Sequence, residues 1–226
     1  MRRVVFVAGG HTEIGKTHIA CGLLSAARRN GWSVDALKPV VSGFNPVDWA
    51  ESDPGRLLVA AGRPLDLHEL DRVSPWRLSA PLAPPMAAAL EGRGLPMDEV
   101  IAFCRDRIAN ATADLMAVEG VGGLMSPIAD GATSLDLLEA VQGIRVLVGG
   151  GYLGAVSHTL TALEVMTARG VAPTCIVVSE SADPEAPSFA GTIALLAQHA
   201  PTVPVIGAPR ADSDWAARAF AMISGR

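Results

Sequence analysis

The chain has 226 residues, of which 50% are hydrophobic, 18% charged and 4% aromatic; this balance supports a sizeable core and excludes a disordered or low-complexity chain. Eighteen basic residues stand against 23 acidic ones, a formal charge of −5, which argues against a general nucleic-acid surface, so an anionic ligand has to be met by positive charge concentrated locally. Cys21, Cys104 and Cys175 are far apart and form no Cys-x-x-Cys pair, which speaks against structural zinc and disulfides.

In chain order, Met1-Arg2-Arg3 and the apolar residues 4–8 imitate a secretory leader, but the run stops at Gly9-Gly10, short of what a leader needs. The longest uncharged stretch, 146–163, is interrupted by Gly149-Gly150-Gly151 and carries Ser, Thr and His, so no membrane span is expected and the protein reads as cytoplasmic. Residues 4–8 form a buried strand pattern, a Gly-rich loop follows, and the Ala/Leu-rich residues 15–30 predict a helix closed by Gly31. Residues 33–37 read as a second strand, after which Lys38-Pro39 opens a loop, because proline drives its predecessor toward extended geometry. Further strands are predicted at 115–118, 145–149, 174–178 and 203–206, with helices at 97–111, 155–169, 187–199 and 214–223. This alternation predicts an α/β fold with a mostly parallel sheet, helices on both faces and ligands at the carboxyl ends of the strands. The Pro-rich stretch 74–96 is the one interior candidate for a linker, but it is short and the helix behind it has no core of its own. One domain over 1–226 is expected.

The strongest motif is Gly10-His11-Thr12-Glu13-Ile14-Gly15-Lys16-Thr17, which fits G-x-x-x-x-G-K-[ST] between a strand and a helix. Its glycines let backbone amides wrap a phosphate, Lys16 reaches the terminal phosphates, and the Thr17 hydroxyl can ligate Mg²⁺; ATP or GTP with magnesium is the expectation. Phosphate-bound Mg²⁺ also takes carboxylates. Glu119, at the end of a strand and before Gly120-Val121-Gly122-Gly123, is one candidate. Asp53, at the start of a probable helix, is either a second ligand or a plain helix cap.

Lysine is rare here: Lys16 and Lys38 are the only two, against sixteen arginines. Lys38, in Lys38-Pro39-Val40-Val41-Ser42-Gly43, ends the second strand on the same sheet edge as the phosphate loop, so a second ammonium is aimed at one site. Gly150-Gly151-Tyr152-Leu153-Gly154-Ala155-Val156-Ser157 joins a strand to a helix whose free amides suit a carboxylate, unless it is loop geometry alone. The five histidines share no spacing and are assigned neither to metal nor to base catalysis.

Taken in order, G-H-T-E-I-G-K-T, K-P-V-V-S-G, S-D, V-E-G-V-G-G and G-Y-L-G-A-V-S-H resemble the dethiobiotin synthetases of biotin biosynthesis, from Val5 to about Pro209. The resemblance implies a homodimeric, ATP- and Mg²⁺-dependent ring closure of 7,8-diaminononanoate with CO₂, giving dethiobiotin, ADP and phosphate through a carbamate and a carbamic-phosphoric mixed anhydride. It implies that Lys16 binds the phosphates and Lys38 the carbamate, that Thr17, Asp53 and Glu119 surround Mg²⁺, and that Thr12 and Ser42 contact the diamine. By the same resemblance Glu13, Ile14, Gly15, Lys16, Thr17 and His18 wrap the nucleotide, beside the close-approach residues Gly120, Val121 and Gly122. The substrate's carboxylate tail would lie on Tyr152, Leu153, Gly154, Ala155, Val156 and Ser157 of the neighbouring subunit.

Two positions depart from the family pattern. His11 stands where a small or acidic residue is expected, and Ser179-Glu180 replaces an Asn-Asp pair that reads adenine, which leaves the base to Gly207, Ala208 and Pro209 and implies relaxed base selectivity. Two rival classes fit less well. An ATP-dependent amide synthase normally carries a glutamine-hydrolysing domain that 226 residues do not accommodate, and a partitioning or cell-division ATPase switch uses an extra lysine early in the loop, where this chain has Gly10, His11 and Thr12.

Overall fold

The computed structural model describes residues 2–225. The first half of the chain runs β1 (Arg3–Gly9), α1 (Lys16–Arg29), β2 (Val34–Leu37), β3 (Val40–Ser42), a 3₁₀ turn (Trp49–Glu51), α2 (Asp53–Ala61), α3 (Leu67–Val73), β4 (Trp76–Leu78), α4 (Pro84–Leu90) and α5 (Met97–Asn110). The second half continues with β5 (Leu115–Glu119), β6 (Pro127–Ala129), β7 (Ala132–Thr133), α6 (Ser134–Val141), β8 (Ile144–Gly149), α7 (Ala155–Ala168), β9 (Cys175–Ser179), α8 (Phe189–His199), β10 (Val205–Ala208) and α9 (Asp214–Ser224).

Six strands form one parallel sheet in the order β10-β9-β8-β1-β5-β2. Because side chains alternate along a strand, an all-apolar strand feeds two cores at once. In β1, Val5 and Val7 pack with α1, α2 and α9 on one face, and Phe6 and Ala8 pack with the layer containing α5, α6 and α7 on the other. The expected α/β class with helices on both faces is the observed one.

Every strand and helix expected from periodicity is present, with ends within two residues of the expected ones. The stretch 74–96 is more ordered than its composition suggests. Trp76–Leu78 pairs in parallel with Val40–Ser42, and Pro84 enters α4 in its first turn, where proline forfeits no helical hydrogen bond. The loop expected after Lys38 is accordingly a single step: Pro39 accepts a hydrogen bond from the Trp76 amide (3.1 Å), and the chain re-enters a strand at Val40.

Candidate active site

A cavity of about 750 Å³ lies at the carboxyl ends of β1, β2, β5 and β9. The loop after β1 supplies Thr12, Glu13, Ile14, Gly15, Lys16, Thr17 and His18 to its lining. Two of its residues have left-handed backbone, Glu13 (φ 57°) and Gly15 (φ 92°), the curl that turns successive amides toward one point. Gly15 is required twice over: besides its φ, a Cβ there would lie 2.4 Å from Ser179 Oγ, so the end of β9 is packed directly against the phosphate loop.

Sheet register brings the charged groups together. Leu37 pairs with Val118 and Val7 with Glu119, so Lys38, one residue past β2, falls beside Glu119 at the end of β5. Lys38 Nζ lies 2.5 Å from Glu119 Oε1 and 2.6 Å from Asp53 Oδ2, in the first turn of α2. The Thr17 hydroxyl donates to the same Glu119 oxygen at 2.8 Å, and Lys16 Nζ donates to the His11 carbonyl at 2.9 Å. Lys16, Lys38 and Glu119 are no more than 5% exposed.

Leaving one member of such a set unpaired in the interior would cost roughly 3–5 kcal/mol, so two ammonium groups against two carboxylates is the arrangement that can persist. Burial, aided by the charge of Lys38, lowers Lys16 to about 8. Burial also opposes charge on Lys38, but Glu119 and Asp53 outweigh it and raise its pKa. Asp53 is held below the usual carboxylate range, Lys38 overcoming the effect of burial. Glu119 is pushed up by burial and by Asp53, with Lys38 pulling the other way.

The donors Thr17, Asp53 and Glu119 are all oxygens, as a hard divalent cation requires. Glu119 Oε2 is buried with no hydrogen-bond partner, a lone pair that a cation would satisfy. Among the described residues no three His, Cys, Asp or Glu cluster as a metal site, so an ion held here takes its remaining ligands from phosphate and water, as Mg²⁺ commonly does. The residues fit the ion.

Ser42, Val121, Gly122, Tyr152, Ser179 and Glu180 also line the cavity. Gly120 does not; its amide donates to the Val7 carbonyl beneath it (3.3 Å). Gly207, Ala208 and Pro209 lie outside the lining, and a Cβ on Gly207 would meet the Ile193 side chain at 2.5 Å. Leu153, Gly154, Ala155, Val156 and Ser157 are also outside it, with Leu153 90% exposed and the Ala155 amide bonded to the Tyr152 carbonyl (3.0 Å). Five side chains not assigned to the site from sequence do line the cavity: Val41, Arg56, Ser181, Ala182 and Arg210. Arg56 is three residues beyond Asp53 on α2, a helical spacing that places both on one face. Arg210 had no such signal. Its amide bonds to Glu180 Oε2 (2.7 Å), a contact between two loops distant in sequence.

His11, the unusual residue of the phosphate loop, stacks on His158 of α7 (centroids 5.3 Å apart, planes 9° from parallel), and the Tyr152 hydroxyl lies 2.6 Å from His158 Nδ1. These rings join the phosphate loop to the loop before α7.

A parallel sheet whose central strand runs through a phosphate loop into a helix, with two ammonium groups and an acidic pair on one cavity at its carboxyl edge, defines a phosphate-loop nucleoside-triphosphate enzyme. A family model described as an AAA domain matches residues 3–212. The ATP-dependent dethiobiotin synthetase BioD of Phenylobacterium zucineum (strain HLK1) is 52% identical over 205 residues, covering 91% of this chain and 88% of the relative. The protein of the same name from Caulobacter vibrioides (strain NA1000 / CB15N) is 51% identical over 207 residues, 92% of each. The chain belongs to the ATP-dependent dethiobiotin synthetase family and is a ligase of that kind. Its fold extends further: the hydrogenase maturation factor HypB from Archaeoglobus fulgidus superposes with a TM-score of 0.58 at 14% identity, covering 99% of this chain and 89% of that one. Among the described residues no helix is long and apolar enough to cross a membrane.

Proposed function

We propose that this chain, as one catalytic domain acting in the cytoplasm, converts 7,8-diaminononanoate, CO₂ and ATP into dethiobiotin, ADP and phosphate in biotin biosynthesis. One amine of the diamine adds to CO₂ and loses a proton, giving a carbamate. A carbamate oxygen attacks the γ-phosphorus of ATP and ADP leaves, giving the carbamic-phosphoric mixed anhydride. The second amine then attacks the carbamoyl carbon, phosphate departs and the cyclic urea closes. No bond to the protein forms, so the residues position reactants and neutralise charge.

The observation that carries this reading is the presence of both lysines on one cavity beside an acidic pair. Carbamate and γ-phosphate repel each other, and two ammonium groups on one pocket are what lets them approach. On this reading Lys16 holds the phosphates, Lys38 meets the carbamate, and Thr12 and Ser42 contact the diamine. Thr17, Asp53 and Glu119 would hold Mg²⁺, which when bound neutralises charge on the β- and γ-phosphates. Glu180, Arg210 and the backbone around Ser179 flank the base. The exposure of Leu153 and the placement of Gly154 to Ser157 away from this cavity support a homodimer in which that helix start serves a neighbouring subunit's substrate tail.

Phosphate release measured with each reactant omitted in turn tests the reading. The expected result is turnover only when diamine, bicarbonate, ATP and Mg²⁺ are all supplied. Phosphate release that ignores the diamine and responds instead to DNA, membrane or a protein would overturn it.

A further inference from the structure

The ammonium of Lys38 sits between the two carboxylates that, on the reading just given, ligate a divalent cation. It lies 2.6 Å from Asp53 Oδ2 and 2.5 Å from Glu119 Oε1, and Thr17 donates to that same Glu119 oxygen. From this juxtaposition we infer that Lys38 is the resident counter-ion of the metal site: it neutralises Asp53 and Glu119 in the nucleotide-free protein and is exchanged for the metal, which releases its ammonium into the cavity. The inference rests on the proposed assignment of Thr17, Asp53 and Glu119 as metal ligands.

Three observations support the exchange. The first is steric and electrostatic. A magnesium ion binds oxygen at about 2.0–2.1 Å, so an ion within reach of both carboxylates and the Thr17 hydroxyl claims the volume the ammonium fills, and two cations on the same oxygens repel.

The second is charge balance. Lys16, Lys38, Asp53 and Glu119 already sum to zero. A divalent ion arriving alone would leave an uncompensated double positive charge in a buried setting, whereas one arriving with a polyphosphate brings its own neutralisation. The pocket therefore disfavours free metal and accepts metal with nucleotide. Lys38 sets this preference.

The third is that both endpoints of the movement exist. Lys38 has a flexible four-carbon stem and borders a cavity it shares with Thr12 and Ser42, so its ammonium has somewhere to go. One residue thus acts twice: its ammonium guards the acidic pair until metal and nucleotide arrive, and then becomes the cation available to a carbamate.

Mn²⁺ serves as the probe, its free concentration read by electron paramagnetic resonance. Wild-type protein without nucleotide is expected to bind Mn²⁺ weakly, and Lys38→Met to bind it at least tenfold more tightly; equal or weaker binding by the variant would overturn the exchange. A second measurement uses the wild-type protein, so the outcome does not depend on the variant folding. With ¹⁵N-labelled lysine the side-chain ammonium signals can come only from Lys16 and Lys38, the two lysines of the sequence. Adding Mg²⁺ to protein already saturated with a non-hydrolysable ATP analogue should move the Lys38 signal more than that of Lys16. If Mn²⁺ binds with the analogue and Glu119→Gln weakens it, yet the Lys38 signal stays where it was, the exchange fails while the ligand assignment stands. If Mn²⁺ does not bind with the analogue, or Glu119→Gln leaves its binding unchanged, the ligand assignment fails and the exchange with it.

Discussion

The sheet edge and phosphate loop that carry Lys16, Lys38 and Glu119 and the loops that carry Tyr152 and Arg210 border one cavity, yet they hold their residues by different means. The first group is buried, with positions set by the β2–β5 and β1–β5 registers and by a closed network of opposite charges. The second group depends on ring contacts and single loop hydrogen bonds, and Leu153 is 90% exposed. Groups that must face a charge at fixed distance are built on rigid elements, while groups that recognise the ends of a ligand sit where small movements are tolerated. Substitutions in the first region should therefore change kcat by orders of magnitude, and those in the second should change KM or selectivity by small factors.

The largest effect is expected at Lys38. Lys38→Ala should lower kcat by at least about a hundredfold, since loss of one electrostatic stabiliser costs about 3–4 kcal/mol. Steady-state kinetics at saturating ATP, Mg²⁺, diamine and bicarbonate measures it. An unchanged kcat would remove Lys38 from the chemistry and dissolve the contrast between the regions.

Base selectivity comes next. Ser179 packs on Gly15, so its hydroxyl is directed at the phosphate loop and cannot supply the two-sided contact of a side-chain amide. The preference for ATP over CTP or GTP in kcat/KM is expected to stay below about a hundredfold, within reach of packing and single contacts. A larger ratio would show that the loop region discriminates as sharply as the strand ends. Tyr152→Phe should do less. It removes one exposed hydroxyl contact to His158, about 1 kcal/mol, and should raise KM for the diamine severalfold with kcat nearly constant.

The two regions also differed in how far they could be read from sequence. Residues 4–8 and 115–118 are continuous apolar runs because parallel strands are buried on both faces, and a phosphate loop between strand and helix is a local pattern, so the sheet and Lys16 were visible at once. Lys38 stood out by rarity, but its contact with Glu119 needs the β2–β5 register, a pairing of segments about eighty residues apart that no local pattern encodes. Arg210 was invisible for the same reason, its link to Glu180 being made between distant loops. The segment 74–96 stayed open in the sequence because its prolines suit a linker, a strand entry and a helix first turn equally well, and only the pairing of Trp76 with Val40 decides among them.

The smallest effect tests the boundary between the regions, where α6 supports the loop behind Glu119. The Ser134 hydroxyl donates to the Val121 carbonyl at 2.7 Å, and the helix start is closed by a reciprocal cap in which Asp136 accepts from the Thr133 amide and hydroxyl, both at 2.7 Å. Those two bonds hold the Asp136 carboxyl below its ordinary value of 3.8. A carboxylate whose folded pKa is depressed stabilises the fold above its unfolded pKa and loses that contribution as pH falls through the folded one. Asp136→Ala should accordingly cost about 1 kcal/mol near neutral pH, and the gap from wild type should narrow as the pH is taken below 3.8, read by denaturant unfolding at a series of pH values. Activity at neutral pH should remain within about twofold, because Glu119 is positioned by the sheet register and its ion pairs, and lost cap energy at α6 need not reach it. A large fall in kcat with a small fall in stability would mean that the loop from Gly120 to Leu124 transmits strain to the acidic pair, and that the strand ends are less independent of their surroundings than their burial implies.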